Sequence, residues 1–368
     1  MKKSYRKFKK GIHLLVLKLH LYKTWIFEWV NIFKKRKLYR KVRLVQKENN
    51  QIQDLWEENY GRKISTKWHR LYQSYTGEFD RRYIPEIIFT TKLEPLLNPR
   101  SICKVYSDKS LLEVFYKGDK DVIFPKTNIV NCSGILYDGS RKIISESRAI
   151  DLLQNAGDTV LKITMGESSG RGIVMCHFKN GTEVNTGRSI KDILSEYREN
   201  FIVQDRILPN ENFSKLYDKS INTMRVITYV LEDKIFHAPL TLRIGTGGKE
   251  VDNIHAGGIA IGMSDDGELK RVAYTEFQQR YERHPDSNVI FEGHVIPYTQ
   301  KIIKAAKRLH EKTPHLKMIS WDFTVDKDNN VVLLEINVMA QSVWFPQMVN
   351  GKSFFGENTE KMLQLISR

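Results

Sequence analysis

Two apolar segments near the carboxyl end of the chain, MISWDFTV and VVLLEIN, are separated by a short polar stretch at residues 326–330. β-Branched and aromatic residues dominate both segments, and the Asp- and Asn-rich stretch is typical of a turn, so the pattern predicts a β-hairpin. Asp322 and Glu335 lie among these apolar residues, where an unpaired carboxylate would be costly to bury. This hairpin constrains the fold most strongly, because the chain has to bring a partner or a ligand to both carboxylates.

The spacing of polar residues within the hairpin indicates which ligand that is. Glu335 and Asn337 are two residues apart, so on a strand they face the same side, and the neighbouring strand can bring Asp322 beside them. Oxygen ligands of this kind suit Mg²⁺, which binds proteins through a few carboxylates together with nucleotide phosphates. The alternative is a polar alternation that faces solvent, but the neighbouring residues, such as Leu333 and Ile336, leave little room for a solvated strand. We therefore expect Asp322, Glu335 and Asn337 to be metal ligands.

A second motif, TVLKITMGESSGRGIVM, places a lysine and a glycine-rich loop between two β-like segments. Glycines let the backbone approach a phosphate closely, and successive N–H and hydroxyl groups form a cradle for an anion. The loop is not a Walker loop, because no Gly-Lys-Ser/Thr closes it into a helix, and an ordinary hairpin turn is the alternative. The candidate phosphate-binding residues are Lys162, Gly166, Ser168, Ser169, Gly170 and Gly172.

Short β-like runs alternate with helical ones from about residue 100 onward, for example IVNCSGILY and NFIVQDRIL with SRAIDLLQNAG and SIKDILSEYREN. Antiparallel hairpins covered by helices predict an α+β fold. Before them, residues 49–82 have a polar helical sequence, and Pro85, Pro95 and Pro99 are expected to break that pattern into loops. We therefore expect a domain boundary near residue 100.

The formal net charge of +16 is concentrated at the amino-terminal end. Residues 1–47 contain sixteen Lys and Arg against a single acid, Glu28, so this segment contributes about +15 and the rest of the chain about +1. Its apolar stretch at residues 14–30 is interrupted by charges, which makes it a poor membrane-spanning helix and a poor signal peptide. Trp, Phe and Leu between basic clusters are typical of a helix that lies on an anionic membrane surface. A helical extension packed on the catalytic domain is the alternative, and nucleic acid is a less favoured partner.

Three cysteines, Cys103, Cys132 and Cys176, show neither metal-ligand nor paired spacing, which fits a reducing compartment. The chain also lacks a Cys/His signature of a nucleophilic site. These features favour chemistry that depends on positioning and electrostatics rather than on a covalent residue.

The lysine, the glycine-rich loop, a hinge-like strand and the Asp…Glu-x-Asn hairpin together resemble the ATP-grasp superfamily. From about residue 107 to the end, the chain resembles one branch, the sugar-transfer-associated ATP-grasp proteins related to α-L-glutamate ligases. The segments that carry this match are SDKSLLEVF, INTMRVITYV, LTLRIGTGGKEVDNIHAGGIAIG, HPDS and SWDFTVDKDNNVVLLEIN. The resemblance implies two α+β subdomains that hold ATP between antiparallel sheets. We accordingly expect a basic helical extension at residues 1–100, a small linking region at 101–160 and an ATP-grasp catalytic domain at 161–368.

The resemblance also implies roles for single residues: two lysines on the ATP phosphates, a flexible lid at residues 166–172, and a hinge in FIVQDRI that meets adenine. It assigns the magnesium ligands to the same hairpin residues, Asp322, Glu335 and Asn337. The ATP-binding residues that it implies are Lys109, Lys162, Gly166, Ser168, Ser169, Gly170, Gln204, Asp205 and Ile207.

Two positions depart from the pattern of the family. Gln204 stands where the ligases commonly have Glu, and Ser320 occupies the place of an Arg just before the first metal-binding acid. Arg225 and Arg243 are the cations available to steady the transferred phosphate, so we expect them to be catalytic. The alternative for each arginine is a structural ion pair with an interior carboxylate.

Glycine pairs in GGKEVDNIHAGGIA bracket Asp252, Asn253 and His255, which predicts a loop folded tightly over the site. Histidine is the side chain most often used as a general base, so His255 is a candidate to accept the proton of an amine nucleophile. A histidine that only hydrogen bonds within its loop is the alternative.

ATP-dependent ligation is the activity that the resemblance implies. ATP would phosphorylate a carboxylate on a small molecule or glycan, and an amine would then attack the acyl phosphate, with Mg²⁺ offsetting charge. The expected setting is cytoplasmic assembly of a cell-surface polysaccharide, with the basic segment near the inner face of the membrane. A kinase that transfers phosphate to a hydroxyl, and a catalytically idle nucleotide-binding scaffold, are the alternatives.

Overall fold

The computed structural model describes residues 2–166 and 172–367, with side chains from Lys18 onward. The chain divides into two compact units. The helical unit comprises Met1–Asn98 and Ala340–Arg368, and the sheet unit comprises Pro99–Met339. In the described part of the chain, no helix is both long enough and apolar enough to cross a membrane.

The carboxyl-terminal segment belongs to the helical unit, whereas the predicted catalytic domain extended from residue 161 to the end. Buried hydrogen bonds explain the difference. Gln347 is fully buried, and its side-chain amide accepts from the N–H of Ile84 at 2.8 Å and donates to the C=O of Ile84 at 3.0 Å. The N–H of Ser353 donates to Asp80 at 2.9 Å. These bonds satisfy backbone groups across more than 260 residues of sequence, which a local pattern does not reveal.

Fourteen α-helices lie in the described part of the chain, and four further helical turns are of the 3₁₀ or π type. The α-helices are α1 (Lys2–Lys34), α2 (Arg36–Tyr39), α3 (Gln46–Tyr60), α4 (Lys67–Thr76), α5 (Glu86–Ile88), α6 (Glu94–Leu97), α7 (Arg100–Tyr106), α8 (Leu112–Tyr116), α9 (Glu146–Leu153), α10 (Ile190–Tyr197), α11 (Glu211–Ser214), α12 (Thr299–Glu311), α13 (Trp344–Asn350) and α14 (Thr359–Gln364). The other turns are the π-helical Phe89–Leu93 and the 3₁₀-helical Lys109–Leu111, Ile254–Ala256 and Gly356–Asn358.

The expectation of loops after Pro85 was wrong, because residues 86–97 are helical without interruption. Pro85 immediately precedes α5, and Pro95 lies in the first turn of α6, where a missing N–H costs little. Between them, the N–H of Glu94 bonds to the C=O of Phe89, five residues back. This π-type bond widens the helix just before Pro95.

Aromatic side chains fill the core of the helical unit. Trp56 of α3, Tyr72 and Tyr75 of α4, and Tyr83 are almost completely buried. The rings of Tyr72 and Tyr83 lie 5.3 Å apart in an edge-to-face arrangement, and the Tyr72 hydroxyl donates to the C=O of Ile84 at 3.2 Å. Apolar burial of this kind is the main stabilising contribution in the unit.

Two sheets make up the sheet unit, and together with the covering helices they confirm the predicted α+β class. The strands are β1 (Val122–Ile123), β2 (Thr127–Cys132), β3 (Ile135–Asp138), β4 (Gly157–Ile163), β5 (Ile173–Lys179), β6 (Thr182–Glu183), β7 (Phe201–Asp205), β8 (Thr223–Leu231), β9 (Lys234–His237), β10 (Leu240–Ile244), β11 (Ile259–Met263), β12 (Leu269–Tyr274), β13 (Arg280–Tyr281), β14 (Met318–Val325) and β15 (Val331–Asn337). The predicted boundary between residues 160 and 161 falls inside β4.

The nine-stranded sheet has the order β1-β15-β14-β8-β10-β11-β12-β13, with β9 paired to β8. The predicted hairpin is confirmed as β14 and β15, which pair in antiparallel register. Every residue of β14 is buried, because the strand lies between β15 and β8 and its sheet packs against α12. Polar side chains on these central strands therefore need one another as hydrogen-bond or ion-pair partners.

The six-stranded sheet has the order β3-β2-β7-β4-β5-β6 and is antiparallel. Apolar residues of its strands form one core with residues of α9 and α10, including Leu153, Leu161, Leu194 and Val203. The glycine-rich loop connects β4 to β5. Of this loop, residues 167–171 lie outside the described part of the chain.

Candidate active site

Asp322 lies at the centre of a charged cluster on the nine-stranded sheet. Asp322 lies on β14, and the residues opposite it on the neighbouring strands are Arg225 of β8 and Glu335 of β15. Arg225 donates two parallel hydrogen bonds to its carboxylate, from Nε to Oδ1 and from Nη2 to Oδ2, each 2.8 Å long. The Asp322 side chain is only 3% exposed, so this bidentate pair supplies the counter-charge that a buried carboxylate requires.

A second guanidinium group reaches the same carboxylate from β10. Nη2 of Arg243 lies 3.2 Å from Asp322 Oδ2 and 2.6 Å from Thr223 Oγ1. Asp252, in the loop after β10, accepts hydrogen bonds from the N–H and the hydroxyl of Thr223 and lies 3.5 Å from Arg243 Nε. Arg243 is therefore held between two carboxylates. Both arginines thus form ion pairs with interior carboxylates, which was the alternative role considered for them from the sequence.

The ionisation of this cluster follows from its burial and its charges. Burial by itself would raise the pKa of Asp322, but the charges of Arg225 and Arg243 outweigh it and hold the pKa below its ordinary value. At Asp252 burial dominates and raises the pKa, although Arg243 opposes it. Burial would lower the pKa of Arg225, but Asp322 raises it. The Asp322–Arg225 pair is therefore ionised at neutral pH.

Glu335 and Asn337 face Asp322 from β15, as predicted from their spacing. The Asn337 amide donates to Asp322 Oδ2 at 3.2 Å. Lys109 Nζ lies 3.5 Å from Glu335 Oε1, and the N–H of Lys109 donates to the C=O of Thr164 just beyond β4. A backbone bond to the residue that follows β4 thus holds Lys109 beside the β14–β15 hairpin.

Lys162 of β4 is the second lysine near these carboxylates. Its Nζ donates to Gln204 Oε1 at 3.2 Å, while the Gln204 amide nitrogen donates to the C=O of Pro125 at 3.3 Å. Burial lowers the pKa of Lys162 to about 8, with Lys109 adding to the effect and Glu335 opposing it. Since Gln204 stands where a Glu is common in the ligases, Lys162 meets a neutral acceptor there, and its charge is not cancelled by this neighbour.

The other residues of the predicted nucleotide site have the following positions. Asp205, at the end of β7, accepts from Asn128 Nδ2 at 2.7 Å, and Ile207 follows β7 in a half-buried position. Gly166 begins the loop with φ near +85°, a conformation that favours glycine. Ser168, Ser169 and Gly170 lie outside the described residues.

His255 lies in the 3₁₀ turn Ile254–Ala256 and has a carboxylate partner. Its Nδ1 is 2.8 Å from Glu276 Oε2, and its N–H donates to Asn253 Oδ1 at 2.8 Å. The side chain is half exposed. A histidine oriented by a carboxylate is an arrangement used in general-base catalysis, and the same contacts also satisfy the alternative role within the loop.

The residues of the hairpin fit Mg²⁺ as a ligand set. Asp322 Oδ2 accepts from Arg225, Arg243 and Asn337, but Oδ1 accepts only from Arg225 among the hydrogen bonds of the described residues, so it keeps a lone pair. Glu335 is 31% exposed, and its 3.5 Å contact with Lys109 is looser than a charge-assisted hydrogen bond. Among the described residues no three His, Cys, Asp or Glu side chains cluster as a metal site. Mg²⁺ does not require such a cluster, because it takes one or two carboxylates and completes its shell with phosphates and water.

The charges around the hairpin do not cancel. The cations are Lys109, Lys162, Arg225 and Arg243, and the carboxylates are Asp322, Glu335 and Asp252. One positive charge is left over in a setting of low dielectric constant, which favours a polyanion. The net charge of this cluster therefore favours an anionic ligand.

Thr223 and Asp252 are members of this cluster that sequence reasoning did not assign. Asp252 had been noted between glycine pairs, and Thr223 is two residues before Arg225 in NTMR. The alternation of strand side chains places Thr223 on the same face as Arg225, which is the signal that could have identified it. Asp252 is in a loop, so no periodicity points to it.

A cavity of about 580 Å³ opens beside the first residues of β5. Its lining includes Ile173 and Met175 of that strand together with Lys219 and Lys249. A volume of this size is ordinary for a small-molecule site, and the charged residues of its lining are Lys219, Lys249 and Glu250.

A family model described as sugar-transfer associated ATP-grasp matches residues 88–361. Among solved structures, an ADP complex of N5-carboxyaminoimidazole ribonucleotide synthetase is 12% identical, with 64% of this chain and 45% of that chain covered and a TM-score of 0.37. D-alanyl-alanine synthetase A from Vibrio cholerae is 13% identical, with 71% and 65% covered and a TM-score of 0.40. An L-amino acid ligase from Bacillus licheniformis is 10% identical, with 73% and 48% covered and a TM-score of 0.38. A sequence comparison with curated proteins found no match.

The chain spans 45% to 65% of the length of these three solved proteins. The family match, in contrast, extends over most of the chain. It includes Lys109, Lys162, the glycine-rich loop and the whole β14–β15 hairpin. This protein therefore belongs to the sugar-transfer-associated ATP-grasp family.

Proposed function

We propose that this protein is an ATP- and Mg²⁺-dependent ligase that joins a carboxylate to an amine through an acyl phosphate. The observation that carries the proposal is the convergence of Lys109, Arg225 and Arg243 on the β14–β15 hairpin, with Lys162 near Glu335. Phosphoryl transfer depends mainly on positioned cations and little on covalent residues, which agrees with this arrangement.

The first step is attack of a substrate carboxylate oxygen on the γ-phosphorus of ATP, with ADP as the leaving group. Lys109 and Lys162 hold the phosphates, and the segment with Gln204, Asp205 and Ile207 receives the adenine. Asp322, Glu335 and Asn337 would hold Mg²⁺, which offsets the negative charge on the phosphates when it is bound. The phosphate-binding loop that we propose begins at Gly166.

The arginines act at the transferred phosphate. Both side chains stay partly exposed, 24% for Arg225 and 13% for Arg243, and each guanidinium group has more N–H donors than its bonds to Asp322 use. Because Asp322 and Asp252 orient these groups in advance, little reorganisation is needed as charge develops. This arrangement replaces the arginine that the family pattern has at the position of Ser320.

The second step is attack of an amine on the carbonyl carbon of the acyl phosphate, which forms a C–N bond and expels inorganic phosphate. His255, oriented by Glu276, accepts the proton that the amine loses. The family description mentions sugar transfer, so we propose a carboxylate on a glycan or small molecule as the substrate and cytoplasmic assembly of a cell-surface polysaccharide as the setting.

Isotope transfer tests the acyl phosphate directly. A panel of sugar acids and amino acids is first screened for acid- and amine-dependent phosphate release from Mg-ATP. An active acid is then labelled with ¹⁸O in its carboxylate, and the released phosphate is examined by mass spectrometry. We expect one ¹⁸O atom in each phosphate, because the carboxylate oxygen stays with phosphorus when the C–O bond breaks. A phosphorylated hydroxyl product with no free phosphate would identify a kinase and overturn the ligase proposal.

Substitution of a metal ligand provides the matched variant. Glu335→Gln removes a charge and keeps the volume, so phosphate release should be abolished while the protein stays folded. Glu211→Gln changes an exposed glutamate of the same unit and is the control, for which unchanged turnover is expected. Normal turnover of the Glu335 variant at saturating Mg²⁺ would remove this residue from the site.

A further inference from the structure

Helix α1 has its polar face buried and its aromatic face exposed. Glu28 and Lys35, which continues directly from the helix, are buried together with Ile32. Trp25 and Trp29 are 45% and 50% exposed. A helix at the surface of a protein normally has the opposite arrangement, with its apolar stripe inward.

The exposed aromatic face is continuous along the helix. Its members recur at intervals of three and four residues, which places them on one side. Two pairs are stacked, Tyr22 on Trp25 at 6.3 Å and Trp29 on Phe33 at 5.8 Å between ring centroids. The face consists of Leu19, Tyr22, Trp25, Ile26, Trp29 and Phe33.

Contacts of the polar face fix this orientation of the helix. Lys35 Nζ lies 4.1 Å from the ring centroid of Trp344, a cation–π contact in a buried site. Glu28 lies on the same buried side, where burial raises its pKa to about 7, opposed by a hydrogen bond from Asn31 of the same helix and by Lys35. The helix packs against α5 and the π-helical turn Phe89–Leu93. The side that these contacts occupy leaves the aromatic face turned outward.

The charges that accompany the aromatic face are all positive. Between Lys18 and Lys34 the charged side chains of α1 are Lys18, Lys23, Glu28 and Lys34. The three lysines are exposed, and the glutamate is the one that is buried. Arg36 lies 4.6 Å from the ring centroid of Phe33 and extends the cationic border. An anionic surface is therefore complementary to this side of the helix.

We propose that the aromatic face of α1 docks on an anionic lipid surface, with the helix lying in the plane of the headgroups. Trp and Tyr side chains are well suited to the interface, where one end of the ring is apolar and the other is wet. Lysines bordering such a face interact with anionic lipids within about one Debye length, roughly 8 Å at physiological salt. The proposal is independent of the ligase activity, since neither the surface nor its test involves turnover.

Tryptophan fluorescence of the full-length protein tests this docking. The chain has six tryptophans, of which Trp56, Trp68, Trp321 and Trp344 are buried and only Trp25 and Trp29 are exposed. We expect vesicles of mixed phosphatidylglycerol and phosphatidylcholine to shift the emission to the blue and to co-sediment the protein. Brominated lipid should quench the same emission. Pure phosphatidylcholine vesicles should bind far less, and added salt should weaken the binding.

Two sets of variants separate the aromatic and cationic contributions. Trp25→Ser with Trp29→Ser should remove the spectral shift and weaken vesicle partitioning by roughly tenfold for each indole. Lys→Gln at Lys18, Lys23 and Lys34 should weaken it by roughly a hundredfold in total, at about fivefold for each lysine. The control is the same change at Lys117, Lys126 and Lys215, which are exposed in the sheet unit and alter the net charge equally.

Melting temperatures of all variants should stay within a few degrees of the parent, because the changed side chains are exposed. Equal weakening by the control lysines would overturn the proposal, since net charge alone would then explain binding. Equal binding to neutral and anionic vesicles, or to neither, would do the same. Sedimentation velocity tests whether a second copy of the chain occupies the face instead. A concentration-dependent dimer in which Trp25 and Trp29 are shielded from quenching by acrylamide would assign the face to that second copy and overturn the proposal.

Discussion

Replacing Asp322 by asparagine should destabilise the sheet unit strongly. The substitution keeps the shape of the side chain but removes the negative charge on which Arg225 and Arg243 converge. The neutral amide keeps one acceptor oxygen and presents an N–H group to one of the guanidinium groups. Two cations are then left without the shared counter-charge in a site where the replaced side chain is 3% exposed.

Breaking a buried ion pair by removing one partner costs about 3–5 kcal/mol. In this case two 2.8 Å bonds from Arg225 and one 3.2 Å bond from Arg243 lose their charged acceptor, so we expect a loss of unfolding free energy within this range. For a unit of this size, about 2–4 °C of melting temperature corresponds to each kcal/mol. We therefore expect the melting temperature of the sheet unit to fall by roughly 6–20 °C.

The effect should depend on pH in a defined direction. The pKa of Asp322 is lower in the folded protein than the value of about 3.9 expected for an unfolded chain. The stability that its charge contributes is present above that unfolded value and is lost as the pH falls through the folded value. The difference in free energy of unfolding between the parent and the Asp322→Asn variant should consequently be constant near neutrality and shrink below about pH 4.

Thermal and urea unfolding at pH 7 and at pH 3 to 4 measure these differences. Asp119→Asn is the matched control, because Asp119 is also 3% exposed and makes two hydrogen bonds of 2.8 and 2.7 Å to Arg308, away from the cluster. Both variants should lose stability, but only the Asp322 change should alter Mg-ATP affinity. A loss below about 1 kcal/mol for Asp322→Asn, or a pH-independent loss, would refute the assignment of Asp322 as the shared counter-ion.

Two further predictions concern the lysine of β4 and the loop beside it. Since burial lowers the pKa of Lys162 to about 8, ATP affinity measured by titration calorimetry should decrease as the pH rises from 7.5 towards 9.5. Lys162→Gln should remove most of this pH dependence. An unchanged pH dependence in the variant would show that another group is responsible. Gly172→Ala should lower both the melting temperature and the ATP affinity, because φ is near +69° and the added Cβ would lie 2.7 Å from Ile163 Cδ1. Gly181→Ala, with φ near +79° and no atom within 4 Å of the added Cβ, is expected to cost only about 1 kcal/mol of backbone strain, and equal losses for both variants would contradict a steric role at Gly172.

Local patterns predicted the hairpin well because its two strands are consecutive in sequence. Alternation placed Glu335 and Asn337 on the same side, and the structure pairs Asp322 with Glu335 across the hairpin. The register shift just after Asp322 was not predicted, since a β-bulge depends on how the strand fits its neighbours on both sides. The helical stretch after Pro85 was missed for a similar reason, because the π-type turn before Pro95 is not visible in composition.

The sequence did not identify the partners of the candidate site residues. Arg225 is 97 residues from Asp322 along the chain, and Arg243 is 79 residues away. Both had been predicted to steady the transferred phosphate, with an unidentified interior carboxylate as the alternative partner, and no role had been assigned to Thr223 or Asp252. Their convergence depends on the order of β10, β8 and β14 in the sheet, which is a property of the whole unit.

The sequence by itself determined the elements and the chemistry available to them: the strands, the basic amino-terminal helix, the lysines, and the carboxylate and amide oxygens of the hairpin. These follow from interactions between residues that are close in the chain, whose periodicity and composition can be recognised. Only the tertiary structure decided that Asp322 shares two arginines, that the carboxyl-terminal segment completes the helical unit, and that α1 turns its aromatic face outward. Each of these outcomes depends on which buried polar groups find partners across long stretches of sequence, because an unpaired charge or hydrogen-bonding group in the interior costs more than the local preferences that oppose the pairing.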